Sequence, residues 1–194
     1  MMNTPNKLTV GRIIATPFFM AALMIEFPYH YAVALLLFIG ASLTDMIDGK
    51  LARKYNLITD FGKFLDPLAD KMLTTAAFLG FIKMGIGWQV TWITFIVLFR
   101  EFLISSLRLV VVTSGGKVIA ANMWGKCKTV SQMLGIIFAL FAYMLISDLG
   151  IDNAIFVSSC NIIISVLFWI SAVLCIISGV IYLLASKKYI DTSK

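Results

Sequence analysis

Four aspartates stand close together in an otherwise apolar sequence. Asp45 and Asp48 are three residues apart, and Asp66 and Asp70 are four apart. Each spacing places the two carboxylates of a pair on one face of a helix. A carboxylate in or near hydrocarbon is costly unless something neutralises it, and neighbouring carboxylates repel one another. The four therefore need positive charge beside them, and two divalent cations would supply it.

The ligand chemistry predicts which cations these are. Carboxylate oxygens favour hard ions such as Mg²⁺ or Mn²⁺ over zinc, and Mg²⁺ retains coordination sites for water or substrate phosphate. Two such ions about 4 Å apart recur in enzymes that catalyse displacement at phosphorus. The alternative is a solvated charge network, in which the aspartates pair with nearby basic residues. Those residues are Lys50, Arg53, Lys63 and Lys71.

The residues between the two pairs suit a phosphate ligand. Gly49 and Gly62 would let a ligand or a neighbouring backbone approach closely, because glycine has no side chain. Ala52 keeps a third position small. Arg53 can pair with a phosphate through its planar guanidinium group.

Six apolar segments must position these residues. The chain has 194 residues, 60% of them hydrophobic, with a mean hydropathy of +0.95, which is more apolar surface than a soluble domain could bury. Allowing about 20 residues for each crossing, we predict an all-α integral membrane protein with one domain over residues 1–194. Its opening turn is expected to lie at the interface. The helices are expected over residues 8–27, 31–50, 64–84, 88–112, 124–146 and 154–186.

Charge placement predicts the orientation of these helices. Most lysines and arginines fall near the termini and in the connections between helices two and three and between helices four and five. If there are six crossings, all these segments lie on one side, which the positive-inside rule makes cytoplasmic. The net charge of +6 then indicates topology and attraction to anionic lipid, and not nucleic-acid binding. The short link between helices two and three predicts that they are antiparallel neighbours whose aspartates converge near this surface.

The four aspartates and four residues between them form one motif. Its members are Asp45, Asp48, Gly49, Ala52, Arg53, Gly62, Asp66 and Asp70. In identity and spacing this motif resembles the signature of the CDP-alcohol phosphatidyltransferases. The resemblance implies a six-helix membrane enzyme, usually a homodimer, that binds two metal ions. It also implies that three aspartates are metal ligands, that Asp70 is the general base and touches a metal, and that the other four positions line the site of the CDP-linked donor.

Further segments of this short chain carry a more specific resemblance: Asn6-Lys7-Leu8-Thr9, Arg100-Glu101-Phe102, Arg108, and Gly125-Lys126-Cys127-Lys128-Thr129 with Gln132. They resemble bacterial members of this family that transfer a phosphatidyl group from CDP-diacylglycerol to sn-glycerol 3-phosphate. Because that acceptor is a dianion, its site needs fixed positive charge beside the metals. The candidates for this role are Arg100, Arg108, Lys126 and Lys128. Two alternatives stay open: Arg100 and Glu101 as a structural buried pair, and the other three as ordinary charges flanking a membrane helix.

Two rival functions follow from the same residues. A sister enzyme would use inositol phosphate, serine or another alcohol as acceptor, because the aspartate motif recognises only the shared donor. A divalent-cation transporter would use the aspartates as a transit site, although such a protein needs polar groups that reach both faces of the membrane. The expected location is a bacterial cell membrane, with the site and both termini on the cytoplasmic side.

Overall fold

The computed structural model of the protein describes the backbone of residues 4–54, 60–113 and 123–187. It describes the side chains of these segments except at positions 4, 5, 46–54, 60–64, 66, 67 and 70. Within these residues, the prediction of an all-α protein with six helices is confirmed. The helices are α1 (Thr4–Met24), α2 (His30–Lys54), α3 (Asp60–Met84), α4 (Val90–Thr113), α5 (Met123–Tyr143) and α6 (Ala154–Ser186). A π-helical turn, Met144–Asp148, extends α5.

The helices reach further at the basic end of the bundle than the apolar segments predict. α1 begins at Thr4 rather than at residue 8, α2 continues to Lys54 rather than ending at 50, and α3 begins at Asp60 rather than at 64. An apolar run marks the part of a helix that suits hydrocarbon, whereas backbone hydrogen bonding continues into polar sequence. The turn that is expected at the membrane interface is the first turn of α1, and its place at that interface stays a prediction. The single domain over residues 1–194 also stays a prediction.

Three stretches of the described residues are long and apolar enough to cross a membrane. They are Asn6–Met24, Met123–Asp148 and Ala154–Ser186. A shorter apolar stretch, His30–Asp45, lies in α2. Such segments satisfy their backbone polar groups internally, which is what a bilayer requires of a spanning helix.

Helix packing follows a closed ring. Within the described residues, α1 packs against α2 and α3, α5 packs against α2 and α6, and α4 packs against α6 and α3. The ring order is therefore α1, α2, α5, α6, α4, α3. Direct contact between α2 and α3 is small in this part of the chain, so α1 supplies most of the packing that sequence reasoning assigned to the α2–α3 pair. Both helices nevertheless carry their aspartates to one end of the ring.

The turns at the opposite end hold the helices in register. Gly85, with φ of +68°, ends α3 in a left-handed conformation that suits glycine. The Ile86 N–H donates to the Phe81 carbonyl across this turn at 2.9 Å. Asn153 caps α6, because its side-chain oxygen accepts hydrogen bonds from the N–H groups of Ile155 and Phe156, in the first turn, at 3.0 and 3.2 Å.

Phe168 of α6 lies in the middle of the ring and is fully buried. Its ring lies 5.2 Å from that of Phe78 and 5.6 Å from that of Phe81, both on α3. On its other side, Gly135 of α5 leaves room for the ring, since a Cβ added there would come within 3.0 Å of two ring carbons. One aromatic side chain thus connects three helices, and the glycine sets the distance between two of them.

We expect Gly135→Ala to lower the free energy of unfolding by about 1 to 3 kcal/mol, because the added methyl group overpacks a buried contact. The matched control is Gly40→Ala on α2, where an added Cβ meets nothing within 4 Å. That change should be neutral or slightly stabilising, because alanine is the better helix former. Denaturant titration of both variants in the same micelles checks the prediction, and equal stabilities would contradict it.

Candidate active site

The residues of the aspartate motif lie on α2 and α3 and not in the link between these helices. Asp45 and Asp48 lie on α2, and Asp66 and Asp70 lie on α3. α2 continues for six residues beyond Asp48, to Lys54, so its motif residues share regular helical spacing. The side chains of most motif members lie outside the described residues. These members are Asp48, Gly49, Ala52, Arg53, Gly62, Asp66 and Asp70.

Asp45 is the motif carboxylate whose surroundings the structure describes. The Arg12 guanidinium of α1 donates a hydrogen bond to its Oδ1 atom. The Arg12 side chain is 1% exposed, whereas that of Asp45 is 41% exposed. A buried guanidinium needs a carboxylate partner, and this pairing supplies one. The Asp45 side chain nevertheless stays 41% exposed, so a ligand can reach it.

Arg12 belongs to a buried polar stripe on α1 that sequence reasoning did not assign to the site. Its members, each less than a tenth exposed, are Asn6, Thr9, Arg12 and Thr16. Intervals of three and four residues put them on one helical face. Because α1 packs against both α2 and α3, this face lies between the two helices that carry the aspartates. The interval pattern in an otherwise apolar segment is the signal that could have revealed it.

A second charged cluster lies on the other side of α3, centred on Glu101 of α4. Its Oε1 atom accepts from Lys128 of α5 at 2.6 Å and from Arg100 at 2.9 Å. Its Oε2 atom lies 3.7 Å from the Nζ atom of Lys71, which follows Asp70 on α3. Lys71 also donates to the Ser105 hydroxyl, one turn further along α4. Three helices therefore meet at one carboxylate.

Arg100 is anchored from two directions. Its Nη1 atom donates to Glu101, and its Nε atom donates to the Ser178 hydroxyl of α6 at 3.2 Å. Its stem passes beside Gly179 of α6, where a Cβ would lie in van der Waals contact with Arg100 Cγ at 3.4 Å. Of the four predicted acceptor residues, Arg100 and Lys128 therefore form one group, because both contact Glu101.

The other two predicted acceptor residues lie nearer the surface. Arg108 is exposed, and its guanidinium carbon lies 5.9 Å from the centre of the Tyr182 ring. This distance is within the range of a cation–π contact. Lys126 is exposed near the start of α5, two residues before Lys128. Both stand at the same end of the bundle as the motif, but the described contacts do not bring them to the Glu101 cluster.

The donor set of the motif fits hard divalent cations. Four carboxylates on two helices would supply oxygen ligands, and the Asp45 side chain, 41% exposed, stays accessible beside its arginine. Among the side chains that the structure describes, no group of three His, Cys, Asp or Glu is placed to hold a metal ion. The side chains of three of the four aspartates, Asp48, Asp66 and Asp70, lie outside the described residues.

Two apolar grooves reach the level of these charges. One of about 300 Å³ lies between α1 and α2, with small residues along it and Lys7 and Arg12 at one end. The other, of about 190 Å³, lies between α4 and α6 and includes Arg100 in its lining. Each can take a hydrocarbon chain beside a polar site. A larger cavity of about 1010 Å³, lined by Trp88 and Trp169 among others, lies at the opposite end of the bundle.

Sequence similarity to known proteins identifies the family of this chain. The sequence pattern of the family described as CDP-alcohol phosphatidyltransferase matches residues 2–177. A protein of Bacillus subtilis named CDP-diacylglycerol–glycerol-3-phosphate 3-phosphatidyltransferase is 41% identical over 148 residues, covering 70% of this chain and 75% of that protein.

Two more relatives with the same name are matched over nearly their whole length. The Rickettsia bellii protein is 37% identical over 187 residues, covering 96% of this chain and 97% of its own. The Haemophilus influenzae protein is 34% identical over 186 residues, covering 95% and 94%. The motif on α2 and α3 and the match along most of the chain lead to one conclusion. This chain is a member of the CDP-alcohol phosphatidyltransferase family.

Proposed function

We propose that this protein transfers the phosphatidyl group of CDP-diacylglycerol to sn-glycerol 3-phosphate, giving phosphatidylglycerophosphate and CMP. The observation that supports this most is the close succession of the two charged sites on α3, where Lys71 of the Glu101 cluster follows Asp70 of the aspartate motif. One substrate is a diphosphate that metal ions would bind, and the other is a phosphate dianion that basic residues would bind. The names of the relatives describe the same pair of substrates for those proteins.

The four aspartates would hold two divalent cations, Mg²⁺ or Mn²⁺. Asp45, Asp48 and Asp66 are proposed as ligands, with Asp70 touching one ion as well. When bound, such ions neutralise the diphosphate of the donor and stabilise the charge that develops on the leaving CMP. The open Asp45 carboxylate supports this assignment, because a ligand needs an accessible oxygen.

The donor site is proposed along the α2 part of the motif and the start of α3. Gly49, Ala52 and Gly62 are small and would let the nucleotide approach the backbone closely. Arg53 would pair with a donor phosphate. The acyl chains of the donor would remain in apolar surroundings, for which the groove between α1 and α2 is one candidate, because it begins beside Arg12 and Asp45.

The reaction requires one proton transfer and one displacement. Asp70 would accept the proton of the acceptor hydroxyl as its oxygen attacks the lipid-side phosphorus of the donor. The new oxygen–phosphorus bond forms as the bond between that phosphorus and the CMP phosphate oxygen breaks. The side chains contribute mainly by orienting the two substrates and by offering fixed charges where charge develops.

The acceptor phosphate is proposed to bind among the basic residues near the Glu101 cluster. The sequence candidates for this role are Arg100, Arg108, Lys126 and Lys128. Lys128 and Arg100 both form ion pairs with Glu101, which would fix their positions before the substrate binds. Arg108 has only an aromatic ring as its described partner, so its guanidinium has donors to spare for a phosphate.

We expect Arg108→Ala to raise the KM for glycerol 3-phosphate about 5- to 10-fold, because a charged hydrogen bond to the phosphate is lost. The KM for CDP-diacylglycerol should change less than twofold. Because Arg108 is exposed, the variant should fold normally. Steady-state kinetics with each substrate varied in turn checks this, and an unchanged acceptor KM would remove Arg108 from the site.

The proposed setting is a bacterial cell membrane, with all six helices crossing it. Both termini and the charged end of the bundle would face the cytoplasm, in keeping with the basic residues at that end. A homodimer is proposed on family resemblance. The proposed substrates, cations and protein partner include no nucleic acid.

The test is to identify the lipid product. Purified protein is incubated with CDP-diacylglycerol, Mg²⁺ and one acceptor at a time: glycerol 3-phosphate, inositol phosphate or serine. Mass spectrometry should find phosphatidylglycerophosphate in the first reaction and little product in the others. A product with another acceptor would keep the mechanism but replace the acceptor, and ion flux through proteoliposomes without any lipid product would favour a transporter.

A further inference from the structure

The three cations around Glu101 are not equivalent in burial. The side chain of Lys128 is 7% exposed and that of Arg100 is 15% exposed, whereas that of Lys71 is 31% exposed. The two buried groups share the Oε1 atom of Glu101 at 2.6 and 2.9 Å. Lys71 lies further from the carboxylate, 3.7 Å from Oε2. Lys71 is therefore the cation of this cluster that a ligand reaches most easily.

The cluster also has positive charge in excess. Among the side chains that the structure describes, three cations face one carboxylate, which leaves two positive charges to be balanced. A phosphate monoester dianion carries the opposite charge in the same amount. Arg100 donates to Glu101 and to Ser178 of α6, and its side chain is half as exposed as that of Lys71, at 15% against 31%. This distribution favours Lys71 as the residue that offers charge to a dianion.

The position of Lys71 along α3 fits the distance that the reaction imposes. It follows Asp70 directly, and consecutive Cα atoms are about 3.8 Å apart. The proposed acceptor has its reacting hydroxyl and its phosphate on opposite ends of three carbons. A base for the hydroxyl and a cation for the phosphate must therefore stand several ångströms apart. Consecutive positions on one helix, which project about 100° apart around its axis, allow such a separation.

Two groups on α4 fix where the ammonium group stands. Lys71 donates to the Ser105 hydroxyl, and its Nζ atom lies 3.4 Å from the carbonyl oxygen of Glu101. Ser105 in turn donates to that same carbonyl at 2.8 Å. These contacts hold a long, flexible side chain in one place, which reduces the entropy lost when it binds a ligand.

We propose that Lys71 binds the phosphate of the acceptor and thereby selects a phosphorylated acceptor over a neutral one. This inference rests on the proposed function. Glu101 and Ser105 act as positioning residues for Lys71. Sequence reasoning grouped Lys71 with charges that could simply neutralise the aspartates, so the assignment comes from its contacts across to α4.

The test compares Lys71→Met with the wild type, because methionine keeps an unbranched side chain and removes the charge. The KM for glycerol 3-phosphate should rise about 10-fold or more, as expected for a lost hydrogen bond between charged groups. The KM for CDP-diacylglycerol should stay within about twofold, and Lys71→Arg should recover part of the acceptor affinity. The preference for glycerol 3-phosphate over glycerol should fall by a similar factor.

The matched control is Lys83→Met at the other end of α3. The ammonium group of Lys83 lies 3.3 Å from the Met24 carbonyl oxygen.

A second measurement uses the unaltered protein and so does not depend on how the variant folds. Lysines are labelled with an amine reagent with and without acceptor, and the modified positions are identified by mass spectrometry. Glycerol 3-phosphate should protect Lys71, and glycerol should not. An unchanged labelling rate, or an equal rise of both KM values in Lys71→Met, would overturn the inference while wild-type turnover upholds the function. Absence of wild-type turnover with glycerol 3-phosphate would instead reject the proposed function.

Discussion

Replacing Asp70 with asparagine should reduce turnover by about a thousandfold, the scale of effect expected when a general base is removed. Binding of the CDP-linked donor should fall much less. Asparagine keeps the size of the side chain and one oxygen that can still contact a cation, but it cannot accept the hydroxyl proton. The prediction therefore separates the proposed chemical role of Asp70 from its contribution to holding a metal ion.

The measurement pairs single-turnover rates with equilibrium binding of a CDP-linked nucleotide to Asp70→Asn. Asp152→Asn is the matched control, because Asp152 is exposed in the connection before α6, at the other end of the bundle. It should leave both quantities unchanged. If Asp70→Asn lost binding and turnover by the same factor, Asp70 would be a ligand and the proton would need another acceptor.

Replacing Glu101 with glutamine should lower the free energy of unfolding by about 3 to 5 kcal/mol, the range for breaking a buried ion pair from one side. Glutamine keeps the shape but leaves Lys128 and Arg100 facing each other without a negative charge. Their Nζ and Nη1 atoms both lie within 3 Å of one carboxylate oxygen, at 2.6 and 2.9 Å. We expect turnover with glycerol 3-phosphate to fall as well, because Lys71 loses its support.

Unfolding in mixed micelles would measure this loss. Glu26→Gln makes the same change at an exposed carboxylate beyond the end of α1 and should leave stability unchanged. The double variant Glu101→Gln with Lys128→Met should recover part of the loss, since it removes one of the unpaired charges. Equal stabilities for Glu101→Gln and the wild type would show that the cluster is solvated rather than structural.

Hydropathy predicts most of what defines this fold, and the aspartate spacings predict a site whose residue roles stay predictions. Six apolar segments give six helices, because a chain in lipid must satisfy its backbone within each segment. The helix ends at the basic side were placed too early or too late because polar residues such as Asp60 or Lys54 continue the helical hydrogen bonding. Composition does not mark where that bonding stops.

Partnerships between distant segments were harder to predict. Arg12 is one of the basic residues near the N-terminus from which the sequence predicts topology, yet it is buried against Asp45, which lies 33 positions along the chain. Glu101 looked like a partner for Arg100 alone, yet it also gathers Lys71 and Lys128 from two other helices. Such contacts depend on the order of helices around the ring, and one sequence does not fix that order. Helical spacing shows which residues share a face, but the neighbour of that face comes from the packed structure.

The most direct test of the account is CMP release by the purified protein, measured with and without glycerol 3-phosphate and with Mg²⁺ or EDTA. The account predicts rapid release only when donor, acceptor and divalent cation are all present, and restoration of activity when Mg²⁺ is returned to the EDTA-treated sample. Release that persists at full rate in EDTA would contradict the proposed role of the four aspartates. Release that ignores glycerol 3-phosphate would contradict the transfer reaction itself.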